Sequence, residues 1–264
     1  MTMRRVLLRL LNAITLFALL LFLWQCIIWV FHLAPYVLPT PWAIARVVVQ
    51  RFPALWSSLL TSAIAAGGGL LASIVVGVAI AMLFAQSRWL REMLLPYTIL
   101  LQTVPIVAIA PLLLMWIGPG LFAVTLVAFI ICLAPIIANT TQGLIGVDRN
   151  MVDLFTMHNA TRAQILWKLR LPHALPALFT GIRIASGISV IGAITGDLFA
   201  GSATVGQGGL GYSITYALAQ VQTDYLFALV FAATMLGFFF FFAVVFLEWC
   251  FLHHWHESVQ TGDR

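Results

Sequence analysis

The sequence contains several apolar runs, each about as long as a membrane is thick. A helix needs about 20 mainly apolar residues to cross the hydrocarbon core, and 62% of the 264 residues are hydrophobic whereas 8% are charged. A water-soluble domain has about 25% charged residues, so lipid must surround most of this chain. The sequence predicts an all-α integral membrane protein, a single domain over residues 1–264 with six transmembrane helices. Their predicted positions are about 10–31, 57–85, 93–117, 120–139, 176–200 and 225–247.

The first run resembles a secretory signal, because Arg4, Arg5 and Arg9 precede it. A signal core has about 7 to 15 apolar residues followed by a small-residue cleavage site. The run over 10–31 is longer, and the sequence after it, HLAPYVLPTP, offers no such site. We therefore expect this run to be retained as the first span.

The basic residues are divided unevenly between the two predicted sides of the membrane. Six spans place both termini on one side, and the side richer in Lys and Arg is cytoplasmic. With the termini inside, Arg46 and Arg51 alone lie outside. This predicts cytoplasmic termini and explains the net charge of +5 without a nucleic acid partner. The predicted inner residues are Arg4, Arg5, Arg9, Arg88, Arg91, Arg149, Arg162, Lys168, Arg170, Arg183 and Arg264.

Residues suited to catalysis or cofactor binding form no recognisable pattern. The sequence contains no GxxxxGK[ST] phosphate loop, HExxH or GxSxG motif. The histidines of HHWHE, at 253–257, would spread over several faces of a helix, which favours an interfacial position over metal binding. We expect no enzyme activity, no metal and no cofactor. The three cysteines lie far apart in apolar runs, which predicts small buried side chains: Cys26, Cys132 and Cys250.

Three polar or proline residues within the spans are candidates for a transport pathway. The third run contains Pro96, Pro105, Pro111 and Gln102, and the backbone groups freed by proline need protein or water as a partner. This predicts either a pathway lining or a kinked packing helix. Asp197 is an acidic residue near the outer end of the fifth run, where it either faces a cavity or reaches water. The pathway candidates are Gln102, Pro105 and Asp197.

Small residues are expected to serve in two ways, in close helix packing and in turns. The second run is rich in Gly, Ala and Ser, which predicts close packing against neighbouring helices. Between the fifth and sixth runs, FAGSATVGQGGLGY contains Gly206, Gly208, Gly209 and Gly211. These glycines suit tight turns with positive φ, in a hinge that receives a partner or in a plain turn. The sixth run is bulky and aromatic all round and is expected to face lipid.

The longest internal loop, about 140–175, is polar and amphipathic. Asp148 or Asn150 can cap a first short helix, with Met151, Leu154, Phe155 and His158 on one face. Asn159 can end it, because asparagine tolerates the left-handed conformation. Such a helix rests on lipid or docks into a groove of another protein.

A second short helix is predicted after Asn159. Thr161 is a suitable cap, and Ile165, Leu166 and Leu169 form an apolar stripe. Pro172 and Pro176 are expected to end this helix and redirect the chain into the fifth span.

The spacing in this loop resembles the EAA signature of permease subunits of binding-protein-dependent ABC importers, which reads EAA, three residues, G, nine residues, I-x-L-P. Asp153, Leu154 and Phe155 take the EAA positions, Asn159 takes the glycine, and the final positions are Leu169, Leu171 and Pro172. The Asp and Asn replacements keep the chemistry, whereas Leu154 and Phe155 are bulkier than alanine. The resemblance implies that a coupling loop, about 148–172, contacts a cytoplasmic ATPase. The residues implied are Asp153, Leu154, Phe155, His158, Asn159, Ala160, Leu169, Leu171 and Pro172.

The resemblance extends over nearly the whole chain. LPTPWAIARVV, LQTVPIVAIAPLLLMWIGPG, APIIANTTQGLIGVD, LPHALPALFTGIRIASG and GGLGYSI look like the nitrate/sulfonate/taurine branch, which includes transporters of vitamin precursors. It implies a type I importer permease fold in a bacterial inner membrane. The implied partners are a separate ATP-binding subunit, a periplasmic or lipid-anchored solute-binding protein, a second permease copy in a homodimer, and membrane lipid.

A self-contained secondary carrier or channel is the alternative function. It predicts internal repeats or an ion relay at the membrane midplane, and the sequence shows neither convincingly.

Overall fold

The computed structural model describes residues 3–200 and 208–252, and these are almost entirely helical. The helices are α1 (Met3–Phe31), α2 (Pro41–Gln50), α3 (Phe52–Gln86), α4 (Arg88–Thr103), α5 (Ile106–Ile117), α6 (Leu121–Ile145), α7 (Arg149–Met157), α8 (Arg162–Ile165), α9 (Leu171–Ala200), α10 (Leu210–Ala219) and α11 (Thr223–Leu252). A π-helical segment, Leu166–Arg170, joins α8 to α9.

Four continuous helices among the described residues are long and apolar enough to cross a membrane. They are α3, α6, α11 and the joined helix Arg162–Ala200. The pair α4 and α5 is a fifth candidate if it is counted as one bent span, and the apolar part of α1 described here is Ala18–Phe31. The helical membrane fold is confirmed, whereas the number of six spans stays a prediction.

The third predicted span is not one helix. α4 and α5 meet at an angle of 98°, and Val104 between them is extended, with φ −71° and ψ 125°. Proline disfavours the helical conformation of the residue before it and has no N–H to donate, so Pro105 explains the break. Pro96 and Pro111 lie inside α4 and α5, which continue past them.

The predicted break before the fifth span is wrong, because the helix continues through Pro172 and Pro176 into α9. In a regular α-helix the ring of Pro172 would clash with the carbonyl four residues earlier. Here the turn is wider, since the Leu171 N–H donates to the Leu166 carbonyl, five residues back. The π-helical segment thus accommodates Pro172 within one helix from Arg162 to Ala200.

The core is formed by α6 between α3 and α9. Gly69 of α3 approaches α6 so closely that a Cβ there would lie 2.8 Å from the Thr125 carbonyl oxygen. Gly192 of α9 approaches the other side, where a Cβ would lie 2.9 Å from the Ala128 Cα. Small residues therefore allow three helix backbones to pack together, as predicted for the second span.

The last helix, α11, has two different faces. Phe239 and Phe242 are exposed, as the prediction of a lipid-facing helix requires. Tyr225, Leu229 and Leu236, however, are buried in the main hydrophobic core. α11 is therefore a packing element as well as a lipid-facing one.

Candidate functional site

The short helix α7 begins at a side-chain cap. The Asn150 N–H donates to the Asp148 carboxylate over 2.9 Å, which satisfies one of the backbone donors that a helix start leaves free. Of the two predicted caps, Asp148 is the one used.

The end of α7 is fixed by the backbone of Asn159, whose φ is +56°. The Asn159 N–H donates to the Thr156 carbonyl over 2.9 Å, and the Ala160 N–H donates to the Phe155 carbonyl over 3.0 Å. These are the two hydrogen bonds of a Schellman motif. The predicted left-handed stop at Asn159 is confirmed, and His158 supports it by a contact of 2.8 Å from Nδ1 to the Leu154 carbonyl.

α7 presents an uncovered apolar surface. None of its side chains is buried, and Met151, Leu154 and Met157 are 48%, 48% and 80% exposed. Asp153 is also exposed, whereas Phe155 is half-buried. Leu154 therefore projects further than Phe155. Met157 lay outside the predicted face, although its position three residues after Leu154 could have indicated it.

The second half of the loop belongs to the joined helix Arg162–Ala200, called the long helix below. A capping box starts it, in which the Thr161 N–H donates to Gln164 Oε1 over 2.8 Å and the Gln164 N–H donates to Thr161 Oγ1 over 3.3 Å. Leu166 is buried against Ala81, Leu144 and their neighbours.

The structure thus separates the predicted coupling residues into two groups. Residues 153–160 lie on α7 and its stop, while Leu169, Leu171 and Pro172 are half-buried at the base of the long helix. There the Arg170 guanidinium donates to the Ala85 carbonyl at the end of α3, over 2.7 Å. The second group therefore packs beside the end of α3.

Asp197 lies near the other end of the long helix and is buried, with 4% of its surface exposed. Ser62 of α3 donates to its carboxylate over 2.6 Å, and the Leu210 N–H donates to Ser62 Oγ over 2.8 Å. The Gly211 N–H also donates to the carboxylate. Of the two alternatives for Asp197, the one in which it reaches water is wrong; the carboxylate instead joins α3, α9 and the N-terminus of α10, where a negative charge is favourable.

Gly209 and Gly211 are needed here for space. A Cβ on Gly209 would overlap the Asp197 carboxylate, and one on Gly211 would overlap the Ile194 carbonyl. The φ of Gly209 is −71° and Gly211 lies inside α10, so the predicted tight turn with positive φ is wrong for both. Gly206 lies outside the described residues.

Gln102 and Pro105 lie together at the break between α4 and α5, and both are exposed. The predicted pathway residues therefore occupy two places, one at this break and one in the buried Asp197 network.

The residues with metal-binding side chains form no cluster within the described ranges. No group of three or more His, Cys, Asp or Glu side chains could hold a metal ion there, and the histidines at 253, 254 and 256 lie outside those ranges. Cys132 is buried as predicted, whereas Cys26 is half-buried and Cys250 is exposed.

The described residues thus form a bundle of apolar helices with an exposed short helix between two spans. The chain belongs to the family described as binding-protein-dependent transport system inner membrane component, which matches residues 73–249. It is a permease component of an ABC transporter, and the predicted family is confirmed. The family does not support the alternative of a self-contained carrier or channel.

Three relatives show the range of the family. A probable ABC transporter permease protein of Haemophilus influenzae is 33% identical over 83% of this chain and 88% of its own length. The formylaminopyrimidine transport permease protein of Halalkalibacterium halodurans is 31% identical over 81% of this chain and 84% of its own. The taurine transport system permease protein of Escherichia coli is 28% identical over 80% and 78%.

Proposed function

We propose that the chain forms the translocation pathway of an ATP-driven importer whose separate ATPase subunit binds α7. The observation that carries this proposal is the fixed, uncovered helix itself, which has a cap at Asp148, a Schellman stop at Asn159 and exposed apolar side chains at Met151, Leu154 and Met157. A surface of this kind suits a helix-in-groove contact. The sequence has no phosphate loop of its own, so the energy source must be a partner.

In this proposal, residues 153–160 form the contact, and Leu169, Leu171 and Pro172 transmit its movement. The helix Arg162–Ala200 has 39 residues, or roughly 58 Å at 1.5 Å per residue. It connects the base of α7 with the Asp197 network. A displacement of α7 by the ATPase would therefore be passed as a rigid-body movement to the opposite end of the protein, which is the basis of alternating access.

The pathway is proposed to lie between two identical copies of the chain, with Gln102, Pro105 and Asp197 as candidate residues. The break at Pro105 supports this, because free backbone groups at membrane depth need protein or a water-filled cavity beside them. The exposed apolar residues of α5, Met115 and Trp116, offer surface for a second copy or for lipid.

A solute-binding protein is proposed to deliver the substrate on the side opposite α7. The names of the relatives suggest a small polar solute of the taurine or formylaminopyrimidine type. The excess of Arg and Lys on the α7 side supports an inner-membrane orientation with both termini in the cytoplasm.

The experiment is co-purification of a tagged chain, expressed with its neighbouring genes, in mild detergent. Leu154→Asp should abolish recovery of an ATPase subunit, because it places a charge on a 48% exposed apolar residue without disturbing the core. Leu154→Met is the matched control and should retain the subunit. Equal recovery with both variants, or no ATPase with the unmodified chain, would contradict the proposal.

A further inference from the structure

Four arginines surround one cavity of about 470 Å³ on the α7 side of the protein. Arg88 and Arg91 come from the first turn of α4, Arg149 is the first residue of α7, and Arg170 lies in the π-helical segment. Asp153 of α7 also lines this arginine cavity. Residues distant in sequence thus bring four positive charges to one place.

The charge in the arginine cavity is incompletely neutralised by the protein. Arg88 pairs with Glu92 over 2.7 Å, and Arg170 donates to the carbonyl of Ala85. For the side chains of Arg91 and Arg149, no hydrogen bond or salt bridge occurs within the described part of the chain. Like charges held around one cavity repel each other, so an anion bound there would be stabilised. A phosphate group is well suited, because guanidinium groups donate to it in a matching planar geometry.

The position of the cavity indicates that this phosphate belongs to a lipid. Trp89 and Trp167, beside the arginines in sequence, are 70% and 60% exposed, and exposed tryptophan is typical of the headgroup level of a membrane. Basic pockets between helices at this level bind anionic headgroups.

An apolar groove lies between α3, α4 and α6, and Leu90 in its lining directly precedes Arg91 of the arginine cavity. It has a volume of about 470 Å³ and begins at Leu83, Leu90 and Leu94, only a few residues from Gln86 and Arg91, which line the arginine cavity. An apolar groove beside a cationic cavity matches the two parts of a phospholipid, the acyl chain and the phosphate.

We propose that this combined site binds one anionic phospholipid, with its phosphodiester in the arginine cavity and an acyl chain in the apolar groove. Arg149 and Asp153 belong to α7, so the bound headgroup would contact the helix that carries the exposed apolar surface. The lipid is thereby placed to stabilise the position of α7, independently of whether an ATPase binds there.

The test is a lipid titration of the purified full chain in detergent, followed by thermal unfolding and by native mass spectrometry. The probes are phosphatidylglycerol, phosphatidylcholine with the same acyl chains, and inorganic phosphate. The proposal predicts that phosphatidylglycerol raises the unfolding temperature and stays bound, whereas phosphatidylcholine and inorganic phosphate have much smaller effects.

Two double variants test whether phosphatidylglycerol binds in the arginine cavity. Arg91→Gln with Arg149→Gln should weaken phosphatidylglycerol binding about tenfold or more, the loss expected when charge-assisted hydrogen bonds are removed. Neither side chain makes a hydrogen bond or salt bridge within the described residues, so the variant should fold. Arg46→Gln with Lys168→Gln removes the same charge from exposed positions outside the cavity and should bind normally.

Leu94→Trp fills the groove and should also weaken phosphatidylglycerol binding. Three results would overturn the proposal. The first is that phosphatidylglycerol and phosphatidylcholine raise the unfolding temperature equally. The second is that the two charge variants weaken phosphatidylglycerol binding equally. The third is that inorganic phosphate raises the unfolding temperature as much as phosphatidylglycerol does and that Leu94→Trp does not change this. The last result would identify a site for free phosphate.

Discussion

The backbone of Asn159 has the left-handed conformation that this helix stop requires, and two substitutions can test that requirement. Its φ is +56°, a conformation that glycine adopts freely and that costs a residue with a Cβ roughly 1–2 kcal/mol. Asparagine reduces that cost through local hydrogen bonding. The stop matters because it sets the direction in which the chain leaves α7.

We expect Asn159→Gly to retain both stability and transport, since glycine keeps the same backbone. Asn159→Val should lower the free energy of unfolding by about 1–2 kcal/mol and impair transport, because a β-branched residue is strained there. Thermal unfolding and uptake in reconstituted vesicles measure the two effects. Equal uptake by the two variants would show that the left-handed stop is not required.

The sequence predicted single residues well where the cause was local. Asp148, Asn159 and Thr161 act at helix ends through their own side chains or backbone, and all three occupy the predicted positions. Asp197 and Gly211 depend on contacts between distant segments, which a sequence pattern does not contain. Their burial in one network could therefore not be predicted.

At the scale of elements, Ser62 joins three helices through one hydroxyl group. It donates to Asp197 of α9 and accepts from the Leu210 N–H at the start of α10. Ser189 is equally buried, but its hydroxyl donates to Ser186, three residues earlier in the same helix. A comparison of the two serines therefore distinguishes a hydrogen bond between helices from a hydrogen bond within one helix.

Ser62→Ala should lower the free energy of unfolding by about 1–3 kcal/mol, because it leaves the Leu210 N–H without its buried partner and removes a donor to Asp197. Ser189→Ala should cost clearly less, since the Ser186 carbonyl remains in the helix ladder. Denaturant unfolding in detergent compares them. A loss for Ser189→Ala as large as that for Ser62→Ala would argue against the inter-helix role.

The helix boundaries show where the prediction that proline ends a helix failed. Pro105 breaks the third span at a sharp angle, as the rule for proline suggests, whereas Pro172 and Pro176 lie within a continuous helix. The difference is the π-helical turn at Leu166–Arg170, which gives room for the ring of Pro172. Leu166 at the start of that turn is buried against Ala81 and Leu144, and a contact between such distant segments could not be derived from the proline positions.

At the scale of the whole molecule, the protein is a closely packed helical core with two specialised ends. α7 and the arginine cavity lie at one end, and the Asp197 network lies at the other, with the helix Arg162–Ala200 between them. A membrane permease requires such a connection if a partner on one side is to control access on the other. The membrane fold followed directly from composition, whereas the continuous helix between the two ends became visible only in the structure.

The most direct test of the central claim is site-specific cross-linking between α7 and the ATPase subunit. Leu154→Cys would be made in a chain whose Cys26 and Cys250 are replaced by Ala, since Cys132 is buried. Trp42→Cys, at a residue that is 70% exposed but on the opposite side, is the control. We predict a cross-link to the ATPase from position 154 that changes in yield with ATP, and none from position 42. Failure to cross-link from 154 in a complex that hydrolyses ATP would contradict the assignment of α7 as the ATPase contact.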